Sequence, residues 1–407
     1  MVTNAELISV AERVQLPNYR PAPFVLSKGA GCRVEDVEGH GYLDLSGGIA
    51  VLSVGHSHPK LSKAIADQAA RLMHVSNLFY NDQAILLAEQ IADRTPYDRI
   101  YFANSGAEAN EALLKLARRW HHEHGAPERV ELVSTEDSFH GRTLGALSVT
   151  GQPKYHVGMQ PLLGGVKTVP YDDLEAMRAV VGEHTAAVLV EPIQAEGGIR
   201  VPSPGYLQGL RELCDERGAL LLFDEVQTGY GRTGLFLGAD HDGVVADACS
   251  LAKGIGGGFP LGAIAVGEHL ADGLPPGSHA STFGGNALAC AAGRAVLEIF
   301  DDEGLVENAA RVGEHLGRRL AELFGHGKVP AALGVRGRGL LQGIVLADSV
   351  DPRATLGALR DRGLLVTTAG GTVLRISPSL TVTTEEIDEG LEHIAAVLAD
   401  PPRKDVP

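Results

Sequence analysis

One lysine and one aspartate stand in segments that suit a reactive site. Lys253 lies in CSLAKGIGGGFPLG, where a short apolar run ends in a glycine-rich loop, and Asp224 closes the strand-like run 219–223. Residues 225–252 leave room for a strand–helix–strand connection that returns both side chains to one edge of a parallel sheet. Such a pair suits pyridoxal 5′-phosphate, because the carboxylate keeps the ring nitrogen protonated and the amine holds the aldehyde as a Schiff base.

A candidate phosphate site lies in FANSGAEANEALLKLARRW, which ends a strand and opens a helix. Ser105 and Glu108 have the spacing of a capping box, and Gly106 lets another backbone or a ligand approach closely. A helix start with free N–H groups and a positive dipole end binds anions. Taken alone, the segment is an ordinary capped helix, but beside Asp224 and Lys253 it indicates a phosphate site.

The segment SFHGRT places an aromatic ring and two basic side chains in a turn that follows another strand. Phe139 can lie flat against a pyridine ring, and His140 is next to it. Arg142 is a candidate clamp for a substrate carboxylate, since a guanidinium group binds a carboxylate through two parallel hydrogen bonds. A surface salt bridge is the alternative for Arg142 by itself.

Weaker candidates lie in three other segments. In EPIQAEGG, Glu191 organises the loop and Glu196 can reach the substrate. Gln227 lies three residues beyond Asp224, on the side of the ring hydroxyl. Arg375 in VLRISPSL is a second candidate carboxylate binder, and ASTFGGN offers a threonine hydroxyl to an anion.

Other ligand classes find little support in the sequence. The glycines of the GRG at 337–339 and Gly343 are one place out of step with a dinucleotide fingerprint, and there is no Walker-type loop. His121, His122 and His124 spread around a helix rather than along one face, which indicates a solvated helix end and not a metal site. We therefore predict no metal.

Composition sets the broad class. The 407 residues exceed one ordinary core, so two domains are expected. A net charge of −16 argues against an electrostatic nucleic-acid binder. With neither a signal peptide nor a run long enough to span a bilayer, we expect a cytoplasmic protein without a membrane contact. The dispersed cysteines indicate free buried thiols: Cys32, Cys214, Cys249 and Cys290.

Strand-like and helical patterns alternate through the middle of the chain. The strand candidates lie near 100–102, 131–134, 187–190, 219–223 and 263–266, and a helical face spans 107–120. This alternation predicts an α/β domain with a mostly parallel sheet over residues 46–295. Helical patterns at 306–324 and 385–398 with strands between them predict a smaller α+β domain at 296–407. Residues 1–45, with a strand pair around Gly39, are expected to pack with it.

These motifs together resemble those of class III aminotransferases, from Pro23 to Pro378. The resemblance extends to YLDLSGGIAVLSVGHSHP, SNLFYN and STFGGNALA, all in the expected order. It implies a fold-type I pyridoxal-phosphate enzyme with a seven-stranded sheet. It also implies a homodimer in which Thr282 of the partner subunit completes the phosphate site.

The resemblance assigns roles to individual residues. It implies that Lys253 holds the cofactor aldehyde, Asp224 the ring nitrogen and Gln227 the ring hydroxyl. It implies further cofactor contacts from Ser105, Gly106, Ala107, Phe139 and His140. Arg142, Glu196, Ser281 and Arg375 are then the substrate-binding set.

The expected substrates are N2-acetylornithine and 2-oxoglutarate, with transfer of the δ-amino group. Ornithine transaminases carry a tyrosine near residues 46–49, where this chain has SGGI and hence room for an acylated amine. Succinylornithine, N-succinyl-diaminopimelate, ornithine and 4-aminobutyrate remain alternatives, as does an aminomutase. A binding protein without activity is disfavoured by the intact Lys253 and Asp224. Ala195 replaces a frequent glycine, which leaves the position of Glu196 open.

Overall fold

The computed structural model of the protein describes residues 2–404. It contains fifteen strands in three sheets. They are β1 (Leu26–Ala30), β2 (Arg33–Asp36), β3 (Gly41–Asp44), β4 (Arg99–Ala103), β5 (Glu131–Thr135), β6 (Val166–Val169), β7 (Thr185–Val190), β8 (Leu220–Asp224), β9 (Ala248–Leu251), β10 (Gly262–Val266), β11 (Ala332–Arg338), β12 (Leu341–Leu346), β13 (Leu364–Leu365), β14 (Thr367–Ala369) and β15 (Val373–Ile376).

Helices cover and connect these sheets. They are α1 (Asn4–Val14), α2 (Gly47–Ala50), α3 (Pro59–Arg71), α4 (Asp82–Ala92), α5 (Gly106–Glu123), α6 (Leu144–Val149), α7 (Leu174–Val180), α8 (Tyr206–Arg217), α9 (Ala287–Glu303), α10 (Leu305–Phe324), α11 (Pro352–Asp361) and α12 (Thr384–Ala399). The four residues of α2 all have positive φ, so α2 is a left-handed turn.

The large sheet has the strand order β4-β10-β9-β8-β7-β5-β6. Strands β9, β8, β7, β5 and β6 pair in parallel, whereas β10 is antiparallel to both of its neighbours. Because β7 and β8 consist entirely of buried residues, the middle of the sheet is covered on both faces. The prediction of a mostly parallel seven-stranded sheet is confirmed.

Two four-stranded sheets flank it. One has the order β1-β2-β3-β13, so a strand from the last quarter of the chain joins the N-terminal strands. The other, β11-β12-β15-β14, is antiparallel, and α10 packs on it. The division of the chain at residues 45 and 295 stays a prediction.

Most predicted elements match the structure to within a residue or two. The helical pattern at 107–120 belongs to α5, whose buried face includes Leu113, Leu116 and Ala117. The strand pair around Gly39 is present, and Gly39 turns with φ of 89°. Strand β1 and helix α1 were not predicted. Helix α1 has no fully buried residue, but Leu7, Ile8 and Ala11 are partly buried on one face, and this apolar spacing was the available signal.

The connection between Asp224 and β9 differs from the expected strand–helix–strand unit. It has a 3₁₀-helix at Gly238–Asp242 and no α-helix. The buried Glu225 carboxylate accepts hydrogen bonds from the backbone N–H groups of Gly238 and Ala239, each at 2.9 Å. Because the glycine-rich loop 229–243 is held by this carboxylate, it needs no helix to return the chain to the sheet.

The solvated helix end predicted for the histidines is wrong for His121. Its side chain is buried, and Nε2 lies 2.9 Å from the carbonyl oxygen of Ala186. His122 and His124 are exposed as expected. One histidine of the three thus faces the sheet, which the sequence of the helix end did not reveal.

Two further sequence predictions concern the cysteines and membrane-spanning helices. Cys32, Cys214, Cys249 and Cys290 are all free and buried, as predicted. Among residues 2–404 no helix combines the length and the apolar character needed to cross a membrane.

Candidate active site

Most of the predicted site residues meet at the carboxyl edge of the large sheet. Strands β4, β5, β7, β8 and β9 all end there, and a cavity of about 480 Å³ opens beside them. Ligands of open parallel sheets collect at this edge. From the predicted set the cavity is lined by Ser105, Gly106, Ala107, Phe139, His140, Arg142, Asp224, Gln227 and Lys253.

Four hydrogen-bond partners hold the Asp224 side chain in place. Its Oδ2 lies 2.7 Å from His140 Nδ1 and 2.8 Å from Asn110 Nδ2. Its Oδ1 accepts from the N–H of Val226 at 3.0 Å and from the Ser250 hydroxyl at 3.3 Å. An ionised carboxylate only accepts hydrogen bonds, so the shared proton belongs to His140 Nδ1. Four donors in a buried place stabilise the charge that a protonated ring nitrogen requires.

Sequence reasoning missed Asn110 and gave His140 no more than a place near the cofactor. The structure places both of them within hydrogen-bond distance of Asp224 Oδ2, with Asn110 as a donor. Asn110 also donates to the carbonyl oxygen of His140 at 2.7 Å, which joins helix α5 to the loop after β5. An asparagine on the otherwise apolar buried face of α5 was the available signal, because buried polar side chains need partners.

Lys253 is half-buried and begins a 3₁₀-helix just after the end of β9. Its φ of 45° is unusual for a residue with a long side chain, and such strain collects at functional sites. Burial lowers the pKa of Lys253 from 10.5 to about 8, with Glu196 opposing that shift and Arg375 adding to it. A larger share of the amine is therefore neutral near neutral pH, which is the nucleophilic form.

The start of α5 forms one wall of the cavity. Ser105 caps the helix, accepting from the N–H of Glu108 at 3.2 Å. A complete capping box would have the Glu108 carboxylate accept from the N–H of Ser105. It accepts instead from the N–H of the preceding residue, Asn104, at 2.6 Å. A Cβ on Gly106 would lie 2.8 Å from a methyl of Val226, so only glycine lets the helix start so close to the Asp224 loop.

Arg142 and Phe139 lie on the loop between β5 and α6. The Arg142 guanidinium carbon is 3.6 Å from the ring centroid of Tyr155 and 5.5 Å from that of Phe139. Arg142 is exposed and lines the cavity, and its contacts are aromatic faces rather than the surface salt bridge that was the alternative. Its N–H edges therefore remain available to a ligand.

Glu196 and Arg375 form an ion pair beside the cavity. Arg375 is 2% exposed, and its Nη1 bonds Glu196 Oε1 and, at 3.0 Å, Gln227 Oε1. Gln227 Nε2 donates to the same Glu196 oxygen at 3.2 Å. Burial would raise the pKa of Glu196, but Arg375 and Lys253 outweigh it, so the pKa is lowered and Glu196 is ionised. The pair thus masks a buried guanidinium next to Lys253.

The loop that carries Glu196 is held by Glu191. The Glu191 carboxylate accepts from the N–H groups of Phe139 and Ala195, each at 3.3 Å. Burial, followed by the nearby Asp224 charge, raises the pKa of Glu191 well above its ordinary value. Ala195 has no positive φ, so the absence of a glycine there does not strain the loop or displace Glu196 from Arg375.

Ser281 and Thr282 lie outside the cavity. Ser281 Oγ is 3.1 Å from Asn104 Nδ2, behind the start of α5, and Thr282 is exposed. A single subunit therefore does not bring Thr282 to its own cavity. The predicted roles of Ser281 and Thr282 stay predictions.

Fold and site together define a fold-type I pyridoxal-phosphate enzyme. The donor set fits the cofactor: a half-buried lysine with a lowered pKa, a buried carboxylate with four hydrogen-bond partners, and a helix start with free N–H groups. These residues would hold its aldehyde, its ring nitrogen and its phosphate, respectively.

Comparison with known proteins identifies the family. The family model Aminotransferase class-III matches residues 14–398, so the chain belongs to the class III aminotransferases, which depend on pyridoxal 5′-phosphate. It is 48% identical to acetylornithine aminotransferase of Myxococcus xanthus over 94% of this chain and 95% of that protein. It is 44% identical to the succinylornithine transaminase/acetylornithine aminotransferase of Pseudomonas aeruginosa, covering 95% and 96%. A solved ornithine aminotransferase of Toxoplasma gondii superposes with a TM-score of 0.93 at 37% identity, covering 97% and 94%.

Proposed function

We propose that the protein is an acetylornithine aminotransferase of arginine biosynthesis. It transfers the δ-amino group of N2-acetyl-L-ornithine to 2-oxoglutarate and produces N-acetyl-L-glutamate 5-semialdehyde and L-glutamate. The observation that carries this assignment is a pair of arginines in different states. The N–H edge of Arg142 is open to the cavity, whereas Arg375 is paired with Glu196. The names of the relatives from Myxococcus xanthus and Pseudomonas aeruginosa support it.

The chain's residues divide the work. When bound, pyridoxal 5′-phosphate supplies an electron sink for negative charge at the amine-bearing carbon of the substrate. Asp224 would keep the ring nitrogen protonated, and Gln227, which lines the same cavity as Lys253, would bond the ring hydroxyl. Lys253 Nζ, once free, removes the proton from the amine-bearing carbon. The start of α5 binds the phosphate at Ser105, Gly106 and Ala107, and Phe139 restricts the tilt of the ring.

Two arginines explain how one site accepts differently charged substrates. N-acetylornithine has one carboxylate far from its reacting amine, whereas glutamate has a distal and a proximal carboxylate. Arg142 binds the distal carboxylate of both. Arg375 binds the proximal carboxylate of glutamate, and Glu196 neutralises Arg375 while acetylornithine occupies the site, because an unpaired buried charge is costly.

Glu196→Ala and Arg375→Ala should separate the two half-reactions. We expect Glu196→Ala to slow the acetylornithine half-reaction and favour α-amino acids, because it leaves Arg375 unmasked. Arg375→Ala should slow the 2-oxoglutarate half-reaction by about 10²-fold or more, since its proximal carboxylate loses its cation. Single-turnover rates of each half-reaction measure both effects, with exposed Glu175→Ala and Arg353→Ala as matched controls. Equal losses in both half-reactions for both variants would rule out the masking role of Glu196.

A panel of amine donors tests the overall assignment. N2-acetylornithine should give the highest kcat/KM with 2-oxoglutarate, ahead of succinylornithine, N-succinyl-diaminopimelate, ornithine and 4-aminobutyrate. An aminomutase would turn over one substrate without an oxo acid, so a strict requirement for 2-oxoglutarate separates the two reaction classes. A preference for free ornithine would contradict the proposal.

Succinylornithine is the second candidate substrate, because the Pseudomonas aeruginosa relative carries both names. The left-handed turn α2 leaves room for an acylated amine, whether the acyl group is acetyl or succinyl. A Cβ on Gly47 would lie 2.7 Å from the carbonyl oxygen of Ser377, so the turn packs directly on that segment. The next residue after the turn, Val51, lines the cavity, and the turn has no bulky aromatic side chain to fill the substrate end.

We also propose a homodimer that works in the cytoplasm. Leu78, Phe79 and Tyr80 are 81%, 71% and 95% exposed, and Phe283 next to Thr282 is 59% exposed. Asn77 donates to the carbonyl oxygen of Ser281 at 2.8 Å, so these apolar side chains belong to one surface. A second copy would cover it and supply Thr282 to the phosphate site. Sedimentation of an active, cofactor-loaded monomer would contradict the homodimer. The free thiols support the cytoplasmic location, because they favour a reducing compartment.

A further inference from the structure

We propose that Tyr155 is a positioning residue for the substrate carboxylate, acting through Arg142; this rests on the carboxylate-binding role of Arg142 proposed above. The Arg142 guanidinium carbon lies 3.6 Å from the Tyr155 ring centroid, the separation of a guanidinium in contact with an aromatic face. Phe139 is farther from the guanidinium, at 5.5 Å, and faces the cofactor side of the cavity. Tyr155 is therefore the main surface on which Arg142 rests.

An exposed arginine needs such a surface. A free arginine side chain has many rotamers, and fixing it in one of them when a ligand binds costs conformational entropy. Stacking against a ring occupies the face of the guanidinium and leaves all of its N–H edge to the ligand. Arg142 is thereby held ready for a two-pronged bond to a carboxylate before the substrate arrives.

Tyr155 is itself fixed to the loop that carries the cofactor contacts. Its N–H donates to the carbonyl oxygen of Gln152 at 2.9 Å, and Gln152 Nε2 donates to the carbonyl oxygens of Asp137 and Ser138 at 3.2 and 3.1 Å. The Tyr155 ring also meets the Phe139 ring edge to face, with centroids 6.4 Å apart. The ring that supports Arg142 thus moves with the loop that holds Phe139.

The neighbouring Lys154 does not replace this contact. Its Nζ lies 4.9 Å from the Tyr155 centroid, and the side chain is exposed. The aromatic face of Tyr155, rather than its hydroxyl, is the feature that the inference requires.

The test compares two amines that differ only in the carboxylate. N-acetylputrescine is N2-acetylornithine without its carboxylate, so a defect in carboxylate binding should not affect it. We expect Tyr155→Leu, which keeps much of the volume but has no aromatic face, to raise KM for acetylornithine about 5- to 30-fold with little change in kcat. KM for N-acetylputrescine should not change. Tyr155→Phe, which keeps the ring, should behave like the wild type.

A binding measurement provides a readout independent of turnover. N-acetyl-L-norvaline has the carboxylate and the acetamide of the substrate but no δ-amine, so it binds without reacting. Calorimetry on the holoenzyme should give a dissociation constant that rises for Tyr155→Leu by the same factor as KM and is unchanged for Tyr155→Phe.

Arg142→Ala in the same assays separates this inference from the proposed function. If Arg142→Ala removes the preference for acetylornithine over N-acetylputrescine and Tyr155→Leu does not reduce it, the role of Tyr155 is wrong and that of Arg142 stands. If Arg142→Ala leaves the preference intact, the carboxylate role of Arg142 fails, and Tyr155 loses its role with it. Equal losses of kcat for both amines in Tyr155→Leu would assign the ring a purely structural role and overturn the inference.

Discussion

Lys253→Ala should abolish multiple turnover, with a loss of at least about 10⁴-fold in kcat, because it removes both the covalent anchor of the cofactor and the proton carrier. The protein should also lose the visible absorbance of covalently held cofactor. Lys63→Ala is the matched control, since the Lys63 side chain is 74% exposed. Borohydride reduction of the wild-type holoenzyme followed by peptide mapping should label Lys253; a label on another lysine would refute the assignment.

The pH dependence of cofactor uptake by the apo-protein tests the environment of the same lysine. Only the neutral amine reacts with an aldehyde, and the burial-lowered pKa of Lys253 is about 8. Half of the amine is then neutral at pH 8, against about 0.3% for an ordinary lysine. The rate of uptake should increase with pH through about 8 and level off above it. Glu196→Gln should move the midpoint to lower pH, because the Glu196 carboxylate raises the pKa of Lys253.

Asp224→Asn should reduce the rate of the acetylornithine half-reaction by about 10²- to 10³-fold and weaken cofactor binding. The first reason is charge, since a neutral amide does not keep the ring nitrogen protonated. The second is hydrogen bonding: both carboxylate oxygens of Asp224 accept, from His140 and Asn110 on one side and from Val226 and Ser250 on the other. An amide NH₂ must therefore face donors on one side.

Single-turnover rates and cofactor titrations measure this effect. Asp215→Asn, at an exposed position of α8, is the matched control for the loss of one carboxylate. Near-normal turnover of Asp224→Asn would show that the protein does not need an anion at the ring nitrogen. A loss of cofactor affinity without a slower half-reaction would limit Asp224 to binding.

How much of this site could be predicted from the sequence depends on the kind of contact. Asp224, Lys253 and the start of α5 were predictable because each combines a reactive or capping residue with a local pattern, a strand end or a helix start. Asp224 and Lys253 meet at one edge because β8 and β9 are parallel neighbours, and the start of α5 joins them because β4 runs in the same direction on the far side of the antiparallel β10. The fold class was predictable for the same reason, since alternating strands and helices admit few topologies.

The remaining contacts depend on pairs of residues far apart in the chain, which no local pattern specifies. His140 and Asn110 reach Asp224 across 84 and 114 positions, and Arg375 reaches Glu196 across 179. Tyr155 lies on a short 3₁₀-helix whose sequence contains no functional motif. Only the packing of the chain brings its ring to Arg142. Likewise, the loop after Asp224 lacks its expected helix because the buried Glu225 binds Gly238 and Ala239.

The sequence by itself thus determined the reactive residues, the sheet that carries them and the family to which they belong. These properties arise from local propensity and from the order of strands along the chain. Only the tertiary structure decided which partners fix the charge of Asp224, lower the pKa of Lys253 and orient Arg142. Those effects depend on burial and on distances of a few ångströms between segments, and both are set when the whole chain packs.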